Sequence, residues 1–132
     1  MNTLSPVQCL APILVIEDER SVIAFLRAAL ERRGYQVENA GSGKDGLELL
    51  KTGTYGGVIS DIRMPGSVNG AEVHAWIQEH RPELATRIIL ISGDTANSET
   101  QSLLERSGTP CIEKPFRVQH LIAVVEKTFG KP

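Results

Sequence analysis

The chain reads as an α/β protein built on one five-stranded parallel sheet with helices on both faces. Two observations carry that reading. Strand-length apolar runs alternate with helix-length amphipathic segments from one end to the other, giving five β/α units, and such alternation implies parallel strands joined by right-handed crossovers. Four of the apolar runs also end on polar residues of complementary character: Ile13 to Ile16 leads to Glu17 and Asp18, Val58 to Ser60 to Asp61, Ile88 to Ile91 to Ser92, and Pro110 to Glu113 to Lys114. Neighbouring parallel strands gather those residues at one sheet edge, where open α/β sheets bind their ligands.

The elements follow in order. After Asp18, residues Ser21 to Arg33 place Val22, Leu26, Ala29 and Leu30 on one helical face, and Gly34 offers a left-handed stop. Tyr35 to Asn39 reads as a short strand, Lys44 to Lys51 as a helix carrying Leu47, Leu49 and Leu50, and Gly53 to Gly57 as a turn into the strand that ends at Asp61. A loop with Pro65, Gly66, Asn69 and Gly70 precedes a helix carrying Val73, Trp76 and Ile77. Arg81 and Pro82 close it, because the residue before a proline is steered out of the helical region. Asn97 to Ser107 is a weaker helix whose large apolar residues are Leu103 and Leu104, so loose packing is expected. Val118, Leu121, Ile122, Val125 and Phe129 mark the last helix.

At 132 residues the chain fits one domain. It divides into an N-terminal extension (1–11), the α/β domain (12–129) and a short tail (130–132). Net charge is −2, from 14 basic and 16 acidic side chains. With no basic cluster among them, direct DNA binding is not expected. Cys9 and Cys111 lie far apart in neither metal-binding nor redox spacing, which points to reduced thiols. The apolar stretches are strand-sized and residues 1–12 lack the pattern of a signal peptide, so a cytoplasmic protein without membrane contact is expected.

Carboxylates meeting at one sheet edge repel one another unless a cation lies between them. Mg²⁺ suits such a cluster, being a hard ion that takes oxygen ligands and keeps several waters. Asp18 and Asp61 are the expected direct ligands, with Glu17 acting through water. The Ser92 hydroxyl can donate to an anion at the edge while Gly93 keeps the approach open. Pro115 fixes the direction of the Lys114 stem, so that the ammonium can pair with Asp61 or a phosphate there.

These motifs resemble the receiver domains of bacterial two-component response regulators: Glu17, Asp18 and Glu19 after the first strand; Asp61 to Pro65 followed by Asn69 and Gly70; Ser92 and Gly93; and Lys114, Pro115 and Phe116. The resemblance covers about residues 12–129. It implies a flavodoxin-like, CheY-like fold with strand order 2-1-3-4-5. It further implies phosphorylation of Asp61 by a histidine kinase or histidine phosphotransfer protein, with Mg²⁺ held by Asp18, Asp61 and the backbone carbonyl of Arg63. The phosphoryl group is expected to draw Ser92 toward it and to switch the 92–117 region, which controls a partner protein. The expected activity is the chain's own phosphorylation and dephosphorylation, a signalling switch rather than an enzyme acting on outside substrates. With no effector segment read after residue 129, a protein contact is the expected output, and a second copy docking through the 97–129 face is a further partner to consider.

The chain departs from the family pattern in places. Glu17 replaces the commoner Asp, Ser92 the commoner Thr, and the loop from Pro65 to Gly70 is one residue longer. Cys111 stands where the family usually carries Tyr or Phe, and a cysteine cannot sweep out the volume of a ring. A smaller or differently transmitted change is therefore expected on the face formed by the fourth helix, fifth strand and fifth helix. Arg63 and Asp94, each two positions beyond a site residue, are candidates for a charged gate that slows self-dephosphorylation, against independent solvated side chains.

Other functions compete. Gly41, Gly43 and Gly46 match a dinucleotide-binding fingerprint literally, with Asp61 at a suitable distance. They follow the second strand-like run rather than opening the fold, and a nucleotide site leaves Ser92 and Lys114 unexplained. A pseudo-receiver binding its partner without phosphorylation does not require the acidic cluster, and a Mg²⁺-dependent phosphatase lacks a further acid or base. His74, His80 and His120 fall in helices away from the strand ends and receive no role, and Trp76 reads as helix packing.

Overall fold

The computed structural model describes residues 11–63, 68–93 and 97–132. Five strands, β1 (Ile13–Ile16), β2 (Val37–Ala40), β3 (Gly57–Asp61), β4 (Ile88–Ser92) and β5 (Cys111–Glu113), alternate with five helices, α1 (Arg20–Arg32), α2 (Gly43–Thr52), α3 (Gly70–His80), α4 (Ser98–Ser107) and α5 (Val118–Phe129). The strands form one sheet in the order β2-β1-β3-β4-β5, and all four pairings are parallel.

Two apolar layers explain why the runs Ile13–Ile16 and Ile88–Ile91 are apolar at every position. Along β1, Ile13 and Val15 pack with Leu26, Ala29 and Leu30 of α1 and with Leu121, Val125 and Phe129 of α5. Leu14 and Ile16 point the other way, toward Leu50 of α2, Val73 and Ile77 of α3, and Leu103 of α4. Strand β4 alternates likewise, Ile89 and Ile91 on the first side and Ile88 and Leu90 on the second. A sheet covered on both faces demands such unbroken runs.

Helix starts follow side-chain chemistry. Ser42, Asn69 and Asn97 accept hydrogen bonds from the amides of Asp45, Glu72 and Glu99 at 3.1, 3.0 and 2.9 Å, capping α2, α3 and α4. Gly34 takes φ +96°, the left-handed stop expected after α1.

Several expectations shift. The second strand begins at Val37, since the Tyr35 amide still donates to Leu30 O at 3.1 Å and pairing with β1 starts at Ile13 opposite Val37. A 3₁₀ turn, Pro82–Leu84, follows α3 and buries Leu84 completely. Val118 is exposed despite its place in the apolar pattern of α5. Helix α4 buries only Thr100 and Leu103, in keeping with its sparse apolar content.

Two of the three glycines of the literal dinucleotide fingerprint are accounted for by packing. A Cβ on Gly43 would stand 2.4 Å from the Val68 carbonyl oxygen, and one on Gly46 would stand 2.5 Å from Ile16 Cδ1. These glycines let α2 lie close to the sheet and to the segment before α3. His74 is buried, with Nε2 2.8 Å from Thr109 Oγ1, and Trp76 stacks on His80 with ring centroids 4.7 Å apart.

Candidate functional site

The C-terminal ends of β1, β3, β4 and β5 meet at one edge, and the alternation of each strand decides which side chains meet there. Continuing the side of Val15 leads to Glu17, that of Ile59 to Asp61, and that of Ile112 to Lys114, all toward the α1 and α5 layer. The Lys114 ammonium lies at their centre. Its Nζ donates to Asp61 Oδ2 at 2.7 Å and stands 3.2 Å from Glu17 Oε2 and 3.4 Å from Glu19 Oε1. The Lys114 amide donates to Ser92 O at 2.8 Å, which ties the start of the β5–α5 connection to the end of β4. The Lys114–Pro115 peptide bond is cis.

Asp61 is 5 % exposed. Its second oxygen, Oδ1, accepts the backbone amide of Arg63 at 3.1 Å, so both oxygens point to fixed donors. Gly70, first residue of α3, is required for this arrangement: its amide donates to Ile62 O at 2.9 Å, and a Cβ there would stand 2.4 Å from the Asp61 carbonyl oxygen.

Glu17 is fully buried. Oε1 accepts the amides of Asp18 and Glu19, each at 3.2 Å. Oε2 has only the ion pair with Lys114 and no hydrogen bond, the one such buried side-chain atom among the described residues. Burial pushes the Glu17 carboxyl up to about 7; the Glu19 amide opposes the rise, the Asp61 charge adds to it and Lys114 opposes it. Burial by itself lowers the pKa of Lys114, but the hydrogen bond and charge of Asp61, followed by those of Glu17, outweigh it and hold the ammonium above the usual lysine range.

Among the described residues, carboxylate oxygens of Glu17, Glu19 and Asp61 come within 4.8 Å of one another. Three carboxylates around one ammonium carry excess negative charge, and the hydrogen-bond-free oxygen of Glu17 faces into the group. Hard oxygen donors in such surplus fit a divalent cation of the Mg²⁺ type.

The edge thus joins Asp61, Lys114 and Glu17 as the sequence leads one to expect, with Ser92 buried at the neighbouring end of β4. Gly93 lines the same mouth as Glu19 and Lys114, and a methyl group on it would meet nothing within 4 Å, so the approach is open. Asp18 is exposed and its carboxylate stands outside the cluster; Glu19, given no role from sequence, takes a place in it. Arg63 is exposed and lines a groove with Asn69 and Arg106. Cys9, Pro65, Gly66 and Asp94 lie outside the described residues, and the Arg63–Asp94 gate with them. Cys111 on β5 is half-buried against the α2–α4 layer, and burial, helped by Glu113 and Asp61, pushes its thiol up to about 11.

The family model described as "Response regulator receiver domain" matches residues 13–126. Among curated relatives, Response regulator ArlR of Staphylococcus saprophyticus is 31% identical over 111 residues, 84% of this chain and 49% of the relative. Transcriptional regulatory protein DltR of Streptococcus agalactiae is 34% identical over 111 residues, 84% of this chain and 48% of the relative. The chain spans about half the length of these relatives, and one of them being a transcriptional regulator, they lend no support to the expected absence of DNA contact.

Among solved structures, a CheY-like receiver domain protein from Methanospirillum hungatei superposes with a TM-score of 0.81 at 24% identity, over 91% of this chain and 94% of that one. TrrA from Thermotoga maritima, in complex with Mg²⁺-BeF, gives 0.76 at 31% identity over 89% and 98%. No helix among the described residues is long and apolar enough to cross a membrane.

Proposed function

The chain belongs to the response regulator receiver family, and from that membership we propose that Asp61 accepts a phosphoryl group from the phosphohistidine of a histidine kinase or histidine phosphotransfer protein. An Asp61 carboxylate oxygen forms the new bond to phosphorus as the bond from phosphorus to imidazole nitrogen breaks; the imidazole keeps the electron pair and takes a proton from solvent. Little covalent chemistry is needed beyond placing and neutralising oxygens. The observation that carries the reading is the Lys114 ammonium 2.7 Å from Asp61 Oδ2, beside a buried Glu17 oxygen without a hydrogen bond.

Lys114 and the Ser92 hydroxyl balance the phosphoryl oxygens. Asp18, Asp61 and the carbonyl of Arg63 would hold Mg²⁺, with Glu17 through water; once bound, the ion neutralises charge on the transferring group. That TrrA, 31% identical, was solved in complex with Mg²⁺-BeF supports Mg²⁺ as the ion for this site. The Asp61 phosphate biases the 92–117 region, where α4 buries only two residues, and that region controls a partner protein in the cytoplasm. The chain's chemistry is confined to its own phosphorylation and dephosphorylation.

Incubation with acetyl phosphate and Mg²⁺, read by intact mass, tests this. The expected result is an adduct of about 80 Da, one phosphoryl group, absent from Asp61→Asn. Unmodified wild-type protein at all Mg²⁺ concentrations would overturn the proposal in favour of a phosphorylation-independent binding module.

A further inference from the structure

Glu19 occupies the residue before α1, where a side chain ordinarily caps the helix. Its carboxylate makes no capping hydrogen bond. It reaches instead to Lys114, 95 residues away, at 3.4 Å, while its backbone amide is fixed on Glu17 Oε1 at 3.2 Å. Of the three carboxylates around Lys114, Glu17 and Asp61 are buried and Glu19 is largely exposed at the mouth, beside Gly93. The first two are locked on further donors, Glu17 on two amides and Asp61 on the Arg63 amide. Glu19 is the solvent-facing arm of the three.

Resting on the phosphoacceptor reading, we propose that Glu19 is a positioning residue for Lys114: it receives the ammonium at the mouth when a divalent cation takes its share of the buried carboxylates. Ammonium and cation both seek Asp61 and Glu17, and two positive charges confined between those groups repel each other. An acceptor at the entrance lets Lys114 step outward without leaving its stem direction, and it keeps the ammonium close enough to return to a phosphoryl oxygen. Removing the Glu19 charge has two effects of the same sign. The cluster loses negative charge, and Lys114 stays on the inner carboxylates in competition with the cation.

The test uses the full chain with Mg²⁺ alone, titrated by calorimetry without a phosphoryl donor. Glu19→Gln should bind Mg²⁺ about three- to tenfold more weakly, the scale of one partly solvated charge a few ångströms away. Glu19→Ser is the decisive variant, because serine is a better helix N-cap than glutamate. A structural role predicts equal or higher stability and unchanged Mg²⁺ affinity, whereas the positioning role predicts weakened affinity in a protein at least as stable. Glu19→Asp should recover part of the loss. Glu31→Gln, the same charge change at the far end of α1, should leave affinity alone. With acetyl phosphate, Glu19→Gln should need more Mg²⁺ for half-maximal phosphorylation but approach the wild-type rate at saturation. Mg²⁺ affinity within twofold of wild type in both Glu19→Gln and Glu19→Ser would overturn the inference, even with Asp61 fully competent. A wild-type chain that binds Mg²⁺ in a Glu19-dependent way yet gains no phosphoryl group would refute the phosphoacceptor reading instead.

Discussion

Gly70→Ala puts the link between the start of α3 and the phosphoacceptor strand under direct strain. A Cβ at this position stands 2.4 Å from the Asp61 carbonyl oxygen and 2.7 Å from Ile62 Cα. Both are backbone atoms, so no rotamer change relieves the overlap. Ordinary contact begins at 3.4 Å, leaving a shortfall of 1.0 Å (3.4 − 2.4) that α3 or the end of β3 must absorb. Overpacking of this kind costs about 1–3 kcal/mol, offset by up to about 1 kcal/mol from replacing glycine by alanine in a helix. The expected outcome is a net destabilisation of about 1–2 kcal/mol in urea unfolding. Gly41→Ala serves as control, since a Cβ there meets nothing within 4 Å. Because the displaced atoms belong to Asp61 and its neighbour, acetyl phosphate should modify Gly70→Ala about 10- to 100-fold more slowly, the usual consequence of misplacing a reacting group by an ångström. Wild-type stability together with a wild-type rate would show that α3 does not fix Asp61 through this contact.

Three further outcomes are expected. Arg87 donates to Gly56 O at 2.7 Å and to Phe129 O, with its guanidinium 5.9 Å from the Phe129 ring centroid; Arg87→Ala should lose about 2–3 kcal/mol, and Arg87→Lys should recover less than half because it lacks the planar fork. A loss below about 0.5 kcal/mol in Arg87→Ala removes this account of how α5 is anchored. With Cys9 replaced by Ser, native Cys111 should alkylate far more slowly at pH 8 than in denaturant, its thiol being raised from 9.0 to about 11. Since the fold favours the neutral thiol, that stabilisation is complete below pH 9 and declines as pH rises toward 11; equal native and denatured alkylation rates contradict it. Finally, Cys111→Tyr should enlarge the phosphorylation-dependent amide shifts across α4, β5 and α5, and unchanged shifts would mean that no ring at this position transmits the change.

The fold was legible because its strongest determinants are local. Unbroken runs such as Ile13–Ile16 and Ile88–Ile91 announce strands covered on both faces, and the spacing of Leu121, Val125 and Phe129 announces the layer that covers one of them. What escaped was set by contacts outside the element itself. Strand β2 starts two residues late because Tyr35 is still held by Leu30 and pairing with β1 begins opposite Ile13. The turn at Pro82–Leu84 packs under long-range control, its neighbour Arg81 donating to the Gly53 carbonyl at 3.0 Å. The glycines at 43 and 46 have the spacing of a nucleotide fingerprint, and only the positions of Val68 and Ile16 reveal them as packing residues.

At the site, residue types pointed to Asp61 and Lys114, while the choice between Asp18 and Glu19 depends on backbone parity. Glu19 still has an extended conformation, φ −80° and ψ 119°, so the two-residue alternation of β1 runs on past Ile16. Side chains 17 and 19 then fall on one side of the sheet edge and 18 on the other. Val15, Ile59 and Ile112 mark the side on which Lys114 and Asp61 must meet, and Glu17 and Glu19 share it. That parity is readable from the hydrophobic pattern alone, provided the strand is followed beyond its last apolar residue. The exposed position of Asp18 follows from the same geometry. The Asp18 and Glu19 amides both donate to Glu17 Oε1 at 3.2 Å, so Mg²⁺ binding beside that carboxylate should move those two amide resonances together.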